Sequence, residues 1–240
     1  MAIGPNDRTQ RMTPTQAYDA SIDAGLRSYM LGVYNYMAAG VAITGLMAYV
    51  VSTQPELMQT LFGTGLSWVV MLAPLGFVLA LSFGINKMSA STAQIVFWAF
   101  AAVMGVSLST IFLTYTGSSI ARVFFISAGA FAGLSLFGYT TKKDLTGMGS
   151  FLMMGLIGII LASIVNIFLE SSAMQFTISV LGVLIFAGLT AYDTQRIKSQ
   201  YYEGDGSETA AKKSLMGALS LYLNFINMFL MLLHLFGNRE

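Results

Sequence analysis

The chain has 240 residues, 55% of them hydrophobic and 10% charged, and a formal net charge of +1. A soluble domain averages roughly 25% charged residues, so this chain lacks the polar groups needed to cover itself in water, and lipid is the solvent that suits it. It contains no Cys, which excludes disulfides, zinc–thiolate sites, iron–sulfur clusters and thiol nucleophiles, and its near-neutral charge offers no case for nucleic acid as a partner.

Residues 1–27 are polar, with Pro5, Pro14, three Asp and three Arg. They are expected to form a mobile arm, and they lack the apolar core of a cleavable signal peptide. Apolar segments follow at 29–51, 68–85, 93–114, 123–139, 151–169, 174–192 and 215–236. Each is long enough to cross ~30 Å of hydrocarbon as a helix. Residues 28–237 therefore read as an all-α membrane domain of seven transmembrane helices. The connections are short except for 52–67 and 194–214, and the latter is the one long charged loop expected.

Lys and Arg set the orientation. With the N-terminus in the cytosol, Arg8, Arg11, Arg27, Lys87, Lys142, Lys143, Arg196, Lys198, Lys212 and Lys213 fall inside, and Arg122 and Arg239 outside. This asymmetry supports both the span count and a cytosolic N-terminus. Small residues recur at helix–helix spacing: Ala101, Gly105 and Ser109 in the third span, and Gly129 and Gly133 in the fourth. Such spacing lets helix backbones approach closely in lipid.

Ionisable and amide groups are scarce inside the spans. Asp193 ends the sixth apolar segment, and Arg196 lies one helical turn on. Two readings stand: an Asp–Arg pair at the headgroups, or a functional intramembrane acid. The last span carries Tyr222, Asn224, Asn227 and His234. Asn224 and Asn227 share a face that should look into the bundle, either to fix packing or to line a polar pathway. His234 is the sole His and reads as a headgroup-level residue. Asn166, Ser107, Ser109 and Thr110 could join a polar interior.

Enzyme chemistry finds no support. The one Gly-Asp, Gly204-Asp205, sits in the hydrophilic loop, so no second intramembrane aspartate faces Asp193. Ser107 and His234 are expected at different depths, too far apart for a nucleophile–base pair. The last span has no Lys to hold retinal, and no phosphate-binding or dinucleotide fingerprint occurs.

Two C-terminal stretches carry a resemblance. One is Phe186-Ala187-Gly188-Leu189-Thr190-Ala191-Tyr192-Asp193-Thr194-Gln195. The other is Ala218-Leu219-Ser220-Leu221-Tyr222-Leu223-Asn224-Phe225-Ile226-Asn227, followed by Leu235-Phe236-Gly237. Together they resemble the signature of the Bax inhibitor family, the transmembrane Bax-inhibitor-motif proteins. Gly138-Tyr139-Thr140-Thr141-Lys142-Lys143-Asp144-Leu145 is similar to the bacterial branch.

The resemblance implies a seven-helix bundle with the last helix central, in a bacterial cytoplasmic (inner) membrane. It also implies a calcium leak whose pH gate is a pair of facing Asp residues sharing a proton. Asp193 matches the first of these, but Asn224 stands at the second, and segment 68–85 lacks the acid some members carry there. A proton-sharing gate is therefore not expected, and calcium should bind weakly, with Asp193 as its one candidate ligand.

The candidate ion pathway is Asp193, Asn224, Asn227 and Arg196. The expected partners are the lipid bilayer and calcium or other cations, with no resident cofactor and only transient Ca²⁺. The alternative function is a regulator that binds other membrane proteins, such as an AAA protease.

Overall fold

The computed structural model describes residues 14–239, with side chains from residue 23. Seven helices in it are long and apolar enough to span a membrane. They are α1 (Pro14–Ser52), α3 (Leu66–Gly84), α4 (Ala90–Leu108), α6 (Gly117–Thr140), α7 (Thr146–Leu169), α8 (Ser172–Ser199) and α9 (Ser207–Phe236). Two short helices, α2 (Pro55–Phe62) and α5 (Ile111–Thr114), follow α1 and α4. The described residues contain no named strand. Fold and sequence expectation agree: this is an all-α, multi-pass membrane bundle.

Local chemistry starts and stops the helices. Ser89, Thr116 and Ser171 cap α4, α6 and α8 by accepting the N–H of Thr92, Ser119 and Met174 through their side chains. Glu170 adopts φ 48°, a left-handed conformation that ends α7 and turns the chain directly into α8.

The helix ends differ from the expected segments in several places. α1 begins at Pro14, so the second half of the expected polar arm is helical; residues 1–13 lie outside the described residues. The expected loop 194–214 is mostly helix, because α8 continues to Ser199 and α9 starts at Ser207. The reason is that helices do not stop where hydrocarbon stops. Ion pairs Asp193–Arg196 (i, i+3, 2.8 Å) and Glu208–Lys212 (i, i+4, 2.9 Å) support the polar extensions. Segment 52–67 is not merely a connection, since α2 buries Met58 against Ser109. The third span breaks after Leu108, and α5 completes the crossing.

α9 packs against α8, α1, α6 and α4, while α3 packs chiefly on α4 and α7 on α8. Burial follows this arrangement. Of the residues in each span's most apolar window, 56% are buried in α9 but 11% in α3 and in α7. The outer helices present Trp68, Phe83, Phe151 and Phe168, each about 70–80% exposed, as lipid solvates them. Inside, Phe97 and Phe100 pack edge-on or tilted around Tyr222, and Phe124, Phe131, Phe225 and Phe229 form a second aromatic layer.

Glycine spacing is only partly a packing code. Gly105 faces α1, and a Cβ there would fall about 2.5 Å from Thr44 O. The Ala101–Gly105–Ser109 face is thus a real contact. Gly129 and Gly133 are different, since a Cβ at either would meet nothing within 4 Å. Their GxxxG faces outward, because α6 turns its Ser127–Phe131–Ser135 face to the bundle instead. Gly138, which the spacing did not single out, lies directly against the Ala191 backbone of α8.

Gly138→Ala would place a methyl about 2.9 Å from Ala191 Cα. Overpacking of this kind costs about 1–3 kcal/mol. Thermal unfolding in detergent should show a clearly lower Tm for Gly138→Ala and an unchanged Tm for Gly129→Ala. Equal behaviour of the two variants would contradict the packing described.

Candidate functional site

The polar residues of α8 and α9 meet near the end of the bundle that carries most of the basic side chains. α8 places Thr190, Asp193 and Thr194 on its buried face. α9 answers with Ser220 and Asn224, one turn apart on a helix that is otherwise apolar here. Gly217 lets the helices approach, since a Cβ there would press on Ile197 at about 3.0 Å.

Asp193 is 6% exposed, and its carboxylate accepts from three side chains. Asn224 Nδ2 donates to Oδ2 at 2.7 Å, and Ser220 Oγ donates to the same oxygen at 2.8 Å. Arg196 Nη2 lies 2.8 Å from Oδ1. The same Nη2 donates to Ser220 Oγ at 3.2 Å, closing a ring of three side chains to which Asn224 is joined through Asp193. A carboxylate removed from water needs such donors, because an unpaired buried charge costs several kcal/mol. Asp193 therefore has partners on both sides. It pairs with Arg196, whose side chain is 43% exposed, and it reaches inward to buried Asn224.

The remaining candidates lie elsewhere. Asn227 does not join the ring; its Nδ2 donates to Leu223 O of its own helix at 2.8 Å. Helical period keeps it near the Ser220 direction, so the difference is one of depth: it lies about 4.5 Å further along α9 than Asn224. Asn166 sits at the other end of the bundle, where it accepts from Ser171 N and donates to Gln175. His234 lines a recess of about 340 Å³ at that end with Asn166, Glu170, Gln175 and Arg239. Ser109 is fully buried, but its hydroxyl donates to Val106 O beside α5, near Thr110 and away from Asp193. Ser107, on the same stretch of α4, is half-buried.

Ser220 is the site residue that sequence reasoning missed. Its signal was present, an i, i+4 pairing with Asn224, but a lone Ser in a membrane helix usually bonds to its own backbone. Two further polar links lie beside the ring. Tyr34 OH and Ser135 Oγ are 2.7 Å apart, and Ser135 Oγ and Thr194 Oγ1 are 3.0 Å apart. Buried Tyr222 OH meets Thr44 Oγ1 at 2.6 Å, and Thr44 in turn donates to Ala101 O.

The ring's reach is short. Among the described residues, the hydrogen-bonded chain that starts at Arg196 ends at Asn224. Phe124, Phe131, Phe225 and Phe229 fill the adjoining layer between α6 and α9. No group of three or more His, Cys, Asp or Glu side chains gathers among the described residues. A cation at Asp193 would thus have one carboxylate and neutral oxygens such as Ser220 Oγ and Asn224 Oδ1, a weak set for Ca²⁺.

The α6–α7 loop is fastened to this region. Gln195 Nε2 donates to Lys143 O at 2.8 Å, and Leu145 N donates to Gln195 Oε1 at 2.9 Å. Asp144, fully exposed, has its pKa held below the usual carboxylate value by hydrogen bonds from Thr146.

Comparison with known proteins gives these features a lineage. The family model for "Inhibitor of apoptosis-promoting Bax1" matches residues 26–240. An uncharacterised protein of Caulobacter vibrioides is 52% identical, over 96% of either chain. The protein named "Inner membrane protein YbhL" of Escherichia coli K12 is 45% identical, covering 90% of this chain and 94% of its own. A membrane protein of Streptococcus pyogenes is 31% identical, over 91% and 96% of the respective chains. This chain belongs to the Bax inhibitor family.

Proposed function

We propose that this protein is a cation leak for calcium in a bacterial inner membrane, held closed by the ring around Asp193. The observation that carries the proposal is a buried carboxylate bound by three side chains between the helices α8 and α9. Ionisable groups inside membrane bundles are costly and commonly mark ion pathways. To pass, a cation must take Asp193 from Asn224, Ser220 and Arg196, and α8 and α9 must part. Asn224 donates to the carboxylate at any pH, so this closure needs no proton. On this account the protein moves an ion, makes and breaks no bonds, and needs no resident cofactor.

A second reading has one observation in its favour. Among the described residues the hydrogen-bonded chain from Arg196 stops at Asn224, and an aromatic layer packs between α6 and α9 beside it. A regulator that binds other membrane proteins, such as an AAA protease, needs no polar route onward. The flux experiment below separates the two.

The N-terminus is inferred to be cytosolic. Arg27, Lys87, Lys142, Lys143, Arg196, Lys198, Lys212 and Lys213 flank one set of helix ends, and Arg122 and Arg239 the other. An N-terminal tag should resist an impermeant reagent applied to intact spheroplasts. Labelling from outside would reverse the orientation.

Calcium uptake into proteoliposomes tests the leak. Wild-type uptake should vary little with pH. Asn224→Asp puts two carboxylates face to face, and they stay together only while they share a proton. Uptake by this variant should climb by on the order of tenfold between about pH 6 and about pH 8, as the proton is lost and the helices repel. Asp193→Asn should reduce uptake severalfold at every pH. Superimposable curves for all three proteins would reject the gate and favour the regulator.

A further inference from the structure

A recess of about 310 Å³ opens beside the ring, between the α6–α7 loop and the end of α8. Lys142, Lys143 and Arg196 line it, with Asp144, Thr146, Tyr192, Gln195 and Ser199. Three cations thus face one carboxylate, and that carboxylate is turned onto the Thr146 N–H at 2.9 Å. Neither Lys142 nor Lys143 has an ion-pair partner among the described residues. Arg196 uses only Nη2 on Asp193 and Ser220. Its Nε and Nη1 donors meet no protein acceptor among the described residues, and a guanidinium suits a bidentate oxyanion. The two bonds of Gln195 hold the loop and its lysines at a fixed distance from Arg196.

We propose that this recess binds the phosphate of an anionic lipid headgroup, and that the lipid competes with Asp193 for Arg196. The level of the site favours a lipid. It lies where α6 ends and α7 begins, and within about two turns along these helices the surface carries Phe137, 51% exposed, and Phe151, 70% exposed. A basic recess at the end of lipid-facing helices is the combination that recognises anionic lipids. A phosphate bridging Lys143 and Arg196 draws the guanidinium outward. Asp193 then keeps Asn224 and Ser220 but loses its counter-charge, which raises its attraction for a passing cation. The effect on conduction rests on the leak proposed above; lipid retention does not.

Native mass spectrometry of the full chain reads retention without any ion flux. Wild-type protein should retain phosphatidylglycerol in preference to phosphatidylcholine. The paired variant Lys142→Gln/Lys143→Gln should lose about tenfold or more of that retention, since each basic residue near the surface contributes to anionic lipid binding. Asp193→Asn frees Arg196 and should raise retention severalfold. Equal retention by the wild type and the paired variant overturns the site. Unchanged retention in Asp193→Asn overturns the competition. Release of the lipid by millimolar glycerol 3-phosphate shows a soluble phosphate ligand and overturns the lipid assignment.

Discussion

An ionised carboxylate between two membrane helices has no water to solvate it, so the protein must supply every donor it needs. Asp193 imposes that constraint here. Its two oxygens collect Asn224, Ser220 and Arg196, and these three fix how α8 and α9 face each other. A helix end that would otherwise float at the headgroups is thereby tied to the most buried helix of the bundle. Asn at position 224 matters because it brings N–H donors where a second acid would bring another charge.

The packing around the ring is built for close approach rather than bulk. Gly138 lets α6 lie on the Ala191 backbone, Gly149 makes room for Tyr192, Gly188 for Leu152 and Gly217 for Ile197. Each of these contacts falls within two turns of Asp193 along α8. Beyond Asn224 the interior becomes aromatic. The described residues therefore have a polar end, where charge is held by named partners, and an aromatic layer beside it. In the proposed leak, conduction would require that layer to part by movement of helices.

Seven spans and their alternation were legible in the sequence because twenty apolar residues in a row have one common explanation. The Asp193–Asn224 contact was also accessible, since both residues stand out against apolar helices and occupy the two positions that face each other in the family resembled, with Asn224 in place of the second Asp. Helix ends were not, because hydropathy reports where lipid stops and not where hydrogen bonding stops. That is why 194–214 looked like a loop although α8 and α9 occupy most of it. The GxxxG at Gly129 and Gly133 misled for a related reason: spacing defines a face but not the direction it looks. Ser220 and the role of Gln195 stayed hidden because short polar side chains acquire partners only when two distant segments meet.

In the proposed leak, calcium replaces protein donors on the Asp193 carboxylate, and infrared difference spectra of the reconstituted protein, taken with and without calcium, report on that exchange. Calcium on Asp193 should shift the carboxylate stretching bands in the wild type, and that shift should vanish in Asp193→Asn. A calcium-induced spectrum that is the same in both proteins would mean that the ion never touches this residue, and the ring would then be a structural joint between α8 and α9.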